Sequence, residues 1–211
     1  MINFIIEKDS SLGMDENTYL LADLDSKKAV LIDPGMKSQF LENQIREKGL
    51  DLEAICLTHG HYDHMLALPY YRDLYQAKVY AHEKEKVILQ NGAYNGSLSM
   101  GGQALTFDAD HYFKDQDLIT SLGLKVYHTP GHTIGSSCFE WQGHLFAGDT
   151  LFYESCGRWD LPTGNGREMA ASLKKLFQIE ADLIVECGHG PSTSLDHEKK
   201  YNPMLGYLSF E

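Results

Sequence analysis

The 211-residue chain has no concentration of positive charge: 18 Lys and Arg stand against 30 Asp and Glu, for a formal net charge of -12. Its densest basic pairs are Lys27-Lys28, Lys174-Lys175 and Lys199-Lys200. A surface of that sign repels phosphate backbones and anionic headgroups, so neither nucleic acid nor membrane is an expected partner. Long apolar runs are missing as well. Nothing approaches the ~20 residues of a membrane span, and Met1-Ile2-Asn3-Phe4-Ile5-Ile6-Glu7 meets an acid before an export signal could form. Cys56, Cys138, Cys156 and Cys187 lack CxxC spacing, which fits reduced thiols in a bacterial-type cytosol better than a disulfide framework. The expectation is a cytoplasmic protein acting on a small-molecule substrate. No repeat or low-complexity segment divides the chain, and its length suits one domain over residues 1–211. Its oligomeric state has no signature in the sequence.

Histidine is present in a pattern. Thr58-His59-Gly60-His61-Tyr62-Asp63-His64 gathers three imidazoles and a carboxylate where the apolar run Ala54-Ile55-Cys56-Leu57 ends. Protonated, those rings repel one another; neutral, their lone pairs converge, and a cation satisfies all of them. His59 and His61 share one side of an extended segment, while Asp63 and His64 follow one turn later with room to face a second ion. The cluster suggests a pair of metals.

Apolar periodicity predicts strands near Thr18-Leu24, Ala29-Ile32, Ala54-Thr58, Lys78-Ala81, Leu124-His128, Ser137-Trp141, His144-Ala147 and Leu183-Glu186. Helices are predicted over Gln39-Lys48, closed by Gly49, and over Pro69-Gln76, Glu83-Gln90 and Arg167-Gln178. The glycine-rich stretch Asn91–Gly102 follows neither period and reads as a long mobile loop at the substrate entrance, with Tyr94 a candidate substrate contact. Three further candidate ligands, His132, Asp149 and His189, each follow a glycine just past a predicted strand. A residue without Cβ lets the backbone turn sharply into a crowded site. Asp33, at the end of Val30-Leu31-Ile32, has the same placement and suits a carboxylate that accepts a histidine N–H. His82, His111, His128, His144 and His197 lack such context and read as noncatalytic.

Thr58-His59-Gly60-His61-Tyr62-Asp63-His64, Thr129-Pro130-Gly131-His132-Thr133, Ala147-Gly148-Asp149-Thr150-Leu151-Phe152 and Gly188-His189-Gly190-Pro191 together resemble the motif series of the metallo-β-lactamase superfamily. Gly157-Arg158-Trp159-Asp160-Leu161-Pro162 and Glu198-Lys199-Lys200-Tyr201-Asn202-Pro203 resemble its short glyoxalase II-like bacterial hydrolases. The resemblance implies an α+β fold: an αββα sandwich of two mixed β-sheets flanked by helices. It also implies that His59, His61 and His132 hold one metal, that Asp63, His64 and His189 hold the other, and that Asp149 bridges them, with Asp63 also a catalytic carboxylate. Two divalent ions are expected, zinc first, with iron or manganese accepted by the same ligand types. The chain departs from the family at Cys187, where proline is common, which places a thiol beside a ligand. Glyoxalase II proper also carries a C-terminal helical region that grips glutathione, and only a short segment follows His189 here.

The ligand set implies a water nucleophile and a Lewis-acidic carbonyl site, so no serine or cysteine nucleophile is needed. Thiolates leave without much protonation, whereas amines need a positioned acid, which favours thioesters. The expected activity is hydrolysis of a small thioester such as lactoylglutathione. The alternatives are an iron-dependent persulfide dioxygenase using His59, His132 and Asp149, or a lactonase of the same fold. Arg158 has two readings, a bidentate anchor for a substrate carboxylate or a structural partner of Asp160, and the second is the simpler.

Overall fold

Strand side chains alternate between faces, so a strand buried along its whole length must have packing on both sides. The computed structural model, which describes residues 3–11 and 13–208, shows that condition met twice. Strands β1 (Phe4–Ser10), β2 (Asn17–Asp23), β3 (Lys28–Ile32), β4 (Asp51–Cys56), β5 (Lys78–His82) and β6 (His111–Phe113) form one sheet in that spatial order. Strands β7 (Leu118–Ile119), β8 (Leu124–His128), β9 (Ser137–Trp141), β10 (His144–Gly148), β11 (Ile184–Cys187) and β12 (Thr193–Ser194) form the other, again as sequence neighbours. Both sheets are mixed: β3, β4, β5 and β6 run parallel and β10 pairs parallel with β11, while the remaining pairings are antiparallel.

Alternation sorts the core into three layers. Tyr19, Leu21, Val30, Ile32, Ala54 and Cys56 face Val126, Phe139, Trp141 and Phe146 between the sheets. Their neighbours Leu20, Leu31, Ile55 and Leu57 point the other way, onto Leu41 and Ile45 of the helix Gln39–Lys48 and Leu68 and Tyr71 of the helix Leu68–Tyr75. On the far side Leu145, Ala147, Val185 and Cys187 pack on Met169, Leu173 and Leu176 of the helix Gly166–Phe177. This is the αββα sandwich. No described helix is long and apolar enough to cross a membrane.

The helices start and stop where side chains replace missing backbone partners. Ser38 Oγ accepts from Leu41 N at 3.0 Å, and Gly49, at φ 62°, closes the same helix in the left-handed region. Asn165 Oδ1 accepts from Arg167 N and Glu168 N, while Asn165 N donates to the carbonyl of Gly131 at 2.8 Å, which anchors the His132 turn to a helix start.

Three expectations need correction. Asn91–Gly102 is not a structureless loop: Ser97–Met100 forms a helical turn, and Asn95 and Ser97 are buried and bonded to Leu105. These polar side chains replace an apolar period, which is why periodicity missed the order. The helix expected over Glu83–Gln90 is a 3-10 turn, Glu83–Glu85, followed by the short helix Lys86–Leu89. Strands β1, β6, β7 and β12 were not expected. The last three are too short to show a period, and β1 runs into Glu7-Lys8-Asp9-Ser10 at an exposed edge.

Candidate metal centre

The ends of β4, β8, β10 and β11 meet at one rim of the sandwich. His59 and His61 lie on the loop after β4, Asp63 and His64 on the turn Tyr62–Met65, His132 on the loop after β8, Asp149 directly after β10, and His189 after β11. Ligand atoms of His59, His61 and His132 lie within 4.8 Å of one another, and so do those of Asp63, His64 and His189. Asp149 stands between the groups. Its Oδ2 is 3.4 Å from His132 Nε2, and its Oδ1 is 3.3 Å from His64 Nε2 and 3.6 Å from His189 Nε2. All seven candidate ligands therefore converge.

Hydrogen bonds behind the rings fix which nitrogen faces inward. Thr58 Oγ1 donates to Asp33 Oδ2 at 2.5 Å, so it is free to accept from His59 Nδ1 at 3.1 Å. His64 Nδ1 donates to Asp33 Oδ2 at 3.0 Å, His132 Nδ1 to the Arg158 carbonyl at 2.7 Å, and His189 Nδ1 to the Met14 carbonyl at 3.0 Å. In each of these four rings the Nε2 lone pair is left for the site, the tautomer being assigned from the network. His61 is reversed, with Nδ1 2.8 Å from His132 Nε2. Asp33 thus holds His64 directly and His59 through Thr58, from a backbone at φ 48° that few residues other than Gly, Asn or Asp adopt.

The donor set fits metal ions on an observation independent of motif. His59 Nε2 and Asp149 Oδ1, both turned toward the cluster, are buried without a hydrogen-bond partner among the described residues. Each such atom costs about 1–3 kcal/mol if nothing meets it. His64 Nε2 and His189 Nε2 face each other at 3.2 Å, as do the His61 and His132 nitrogens at 2.8 Å, spacings that a shared cation relieves. Burial pushes His59 well below the ordinary histidine range and His61 down to about 3, so both stay neutral with lone pairs available. Burial opposes charge on His64, Asp63 and Asp149, yet without an ion Asp149 and Asp63 push His64 up, and the resulting imidazolium holds both carboxyls low, Asp149 at about 2; a bound cation would take over that role and free the His64 lone pair.

Close backbone approach makes two of the preceding glycines necessary. A Cβ on Gly188 would stand 2.4 Å from Asp149 Oδ1, and one on Gly148, at φ 48°, would stand 2.3 Å from Thr58 Oγ1. Beneath the site, buried Glu16 is pushed up to about 9, first by burial; its Oε1 also lacks a partner among the described residues.

Above the rings opens a cavity of about 540 Å³ lined by His61, Asp63, His132, Asp149 and His189 on its floor. Tyr94 and Arg158 lie on its wall, joined by Met100, Phe152, Leu161 and Pro162, which carry no sequence signal because they come from separate loops. Arg158 pairs with Asp160 in two bonds of 2.6 and 2.8 Å, both side chains well exposed. The Cys187 thiol points into the helix-facing core and is pushed up to about 12 by burial, so the thiol expected beside a ligand turns away from the cluster and stays protonated. His82 stacks on His128 at 4.0 Å, His144 pairs with Glu186 and His197 with Glu154, all outside the cluster.

Strand ends in two stacked sheets that converge on a bimetallic-type histidine and aspartate cluster define the class, and the sequence pattern of the metallo-β-lactamase superfamily matches residues 13–189. The chain belongs to that superfamily. It is 32% identical over 204 residues to hydroxyacylglutathione hydrolase GloC of Haemophilus influenzae, covering 93% of this chain and 96% of that one. Among solved structures it is similar to the BLEG-1 B3 metallo-β-lactamase, with 35% identity, a TM-score of 0.86 and coverage of 97% of this chain and 100% of that one. It is similar also to TTHA1623 in a di-iron-bound form, with 31% identity, a TM-score of 0.80 and coverage of 94% and 99%.

Proposed function

We propose that this protein is a binuclear metal-dependent hydrolase of small thioesters in the cytoplasm, with a hydroxyacyl thioester of glutathione as its leading substrate. His59, His61 and His132 would hold one ion, Asp63, His64 and His189 the other, with Asp149 shared. Ions bound there supply Lewis acidity and a water made nucleophilic near neutral pH. The observation that carries the reading is the convergence of two three-ligand clusters, with Asp149 between them, at the base of one cavity. The carboxyl groups that line the cavity among the described residues, Asp63 and Asp149, would both be engaged as metal ligands, so neither stands free as an acid for a departing amine. A thiolate leaves without one, so the floor suits a thioester better than an amide. Asp33 and the Arg158 carbonyl orient His64 and His132, and the apolar wall from Met100, Phe152, Leu161 and Pro162 keeps bulk water from the acyl carbon. Arg158 reaches a substrate carboxylate by exchanging it for Asp160, and Tyr94 contacts the remote arm. GloC supports the thioester and BLEG-1 a lactam as rival.

The test offers zinc- and iron-loaded protein lactoylglutathione, a chromogenic β-lactam and a lactone, and separately glutathione persulfide with oxygen. Thioester cleavage in both metal forms, indifferent to oxygen, is expected to exceed the other rates by at least tenfold. Persulfide-dependent oxygen uptake by the iron form with negligible thioester cleavage would promote the dioxygenase, and faster β-lactam cleavage would promote the lactamase.

A further inference from the structure

Glu85 lies on the turn Glu83–Glu85 after β5 and is fully buried, yet it belongs to neither ligand cluster. Its Oε2 accepts from the backbone N–H of Gly60 at 2.7 Å. Its Oε1 accepts from Thr133 Oγ1 at 2.5 Å and from the backbone N–H of Gly135 at 2.8 Å. Gly60 separates His59 from His61, and Thr133 follows His132. We infer that Glu85 is a positioning residue: one carboxylate fastens the two loops that carry His59, His61 and His132, and so sets the spacing of that metal site. The inference rests on assigning those three histidines to one ion and not on the choice of substrate.

The chemistry of the contacts supports a specific requirement for a carboxylate. All three partners are donors, and an ionised carboxylate is an acceptor-only group with lone pairs for each of them. An amide of the same shape would aim an NH₂ at a donor. The fit is also close, since a Cβ on Gly60 would lie 2.9 Å from Oε2 and one on Gly135 2.8 Å from Oε1. Glu85 has no ion pair among the described residues, so hydrogen bonds alone oppose the desolvation of its charge; burial still pushes the carboxyl up to about 7, which leaves it ionised at pH 8. Burying a charge is costly, and an apolar residue would serve packing better. A backbone junction between the same segments, Ser137 N to the Thr58 carbonyl at 2.9 Å, lies outside the ligands, whereas Glu85 acts between them.

The test reads metal affinity site by site. Metal-free full-length protein is titrated with Co²⁺ against a chromophoric chelator at pH 8, following the cobalt d–d bands. Wild type is compared with Glu85→Gln, each also in a His189→Ala background, which weakens the second site, and a His61→Ala background, which weakens the first. Glu85→Gln is expected to weaken one of two cobalt sites by about 10–100-fold, the usual effect of losing a group that orients ligands. That loss should persist in His189→Ala, nearly vanish in His61→Ala, and leave the thermal midpoint of the metal-free protein within a few degrees. Thr133→Val, which removes one of the three bonds, should lower the same site by a few-fold and carries the test if Glu85→Gln does not fold. Equal weakening of both sites, or unchanged cobalt affinity, overturns the inference. A wild type that binds no cobalt sinks the metal assignment and the positioning role with it.

Discussion

The N-terminal sheet brings four side chains to the rim within six residues, on one loop and the turn after it, whereas the C-terminal sheet brings three from three separate strand ends. The first arrangement fixes relative spacing through the chain itself, and the second relies on tertiary contacts to set each residue. Asp33 and Thr58 brace the N-terminal group through side chains. Backbone carbonyls of Arg158 and Met14 brace His132 and His189. Neither cluster belongs to one sheet: the first takes His132 from the C-terminal sheet, the second takes His189 from it, and Asp149 meets both. The metals are therefore expected to couple the sheets, and a defect on either side should reach the same ion.

Asp149→Ala breaks that comparison most severely, because one C-terminal residue should serve both clusters. Loss of at least ~100-fold in affinity for each ion is expected, measured by metal analysis after dialysis against a weak chelator; full retention of either ion would remove the bridge. His64→Ala and His189→Ala come next. They belong to different sheets but one cluster, so each should lower thioester turnover by about 10²–10³-fold, and unequal metal losses would show that sheet matters more than cluster. Next is Glu16→Gln, read as the stability of metal-free protein. Because burial raises the Glu16 carboxyl from its ordinary 4.5 to about 9, the folded chain keeps a proton that the unfolded chain releases. Stability should then fall as pH rises from about 4.5 through about 9. Gln keeps a neutral side chain at every pH, so urea unfolding should find it more stable than wild type by up to about 5 kcal/mol at pH 8 and nearly equal at pH 4. Smallest is Tyr94→Ala, on the wall and not the floor. KM should rise roughly threefold, worth about 0.7 kcal/mol, with metal content unchanged; a loss of metal would move the loop into the floor.

The contrast between the halves also explains what the sequence disclosed. The His59–His64 cluster is dense enough to read directly, and His132, Asp149 and His189 are legible because each follows a glycine at the end of an apolar strand. Asp33 was legible for the same positional reason, and the structure puts it against His64. The eight strands expected were visible because each concentrates buried apolar residues in a run of at least four residues, whereas β7 and β12 span two residues each and leave no period. Glu85 was invisible: it stands in Glu83-Lys84-Glu85-Lys86, which reads as a solvated face until tertiary contacts bury it. The order within Asn91–Gly102 was hidden likewise, since Asn95 and Ser97 are turn formers in sequence and become buried only through Leu105.

Each sheet is woven from one uninterrupted half of the chain, with β6 ending at Phe113 before β7 begins at Leu118. During synthesis the first sheet can therefore finish its ladder while the second is still being translated, at roughly 5–20 residues per second. For about 2–7 s, the time to add the 33 residues from Phe113 to Phe146, its inner face, with Tyr19, Leu21, Val30 and Ile32, has no opposing layer. That nascent interval, not the finished molecule, is where aggregation and chaperone capture should concentrate. Protease protection of ribosome-bound chains stalled after Phe113 should show a structured but adhesive intermediate, relieved once Phe146 has emerged and covered it.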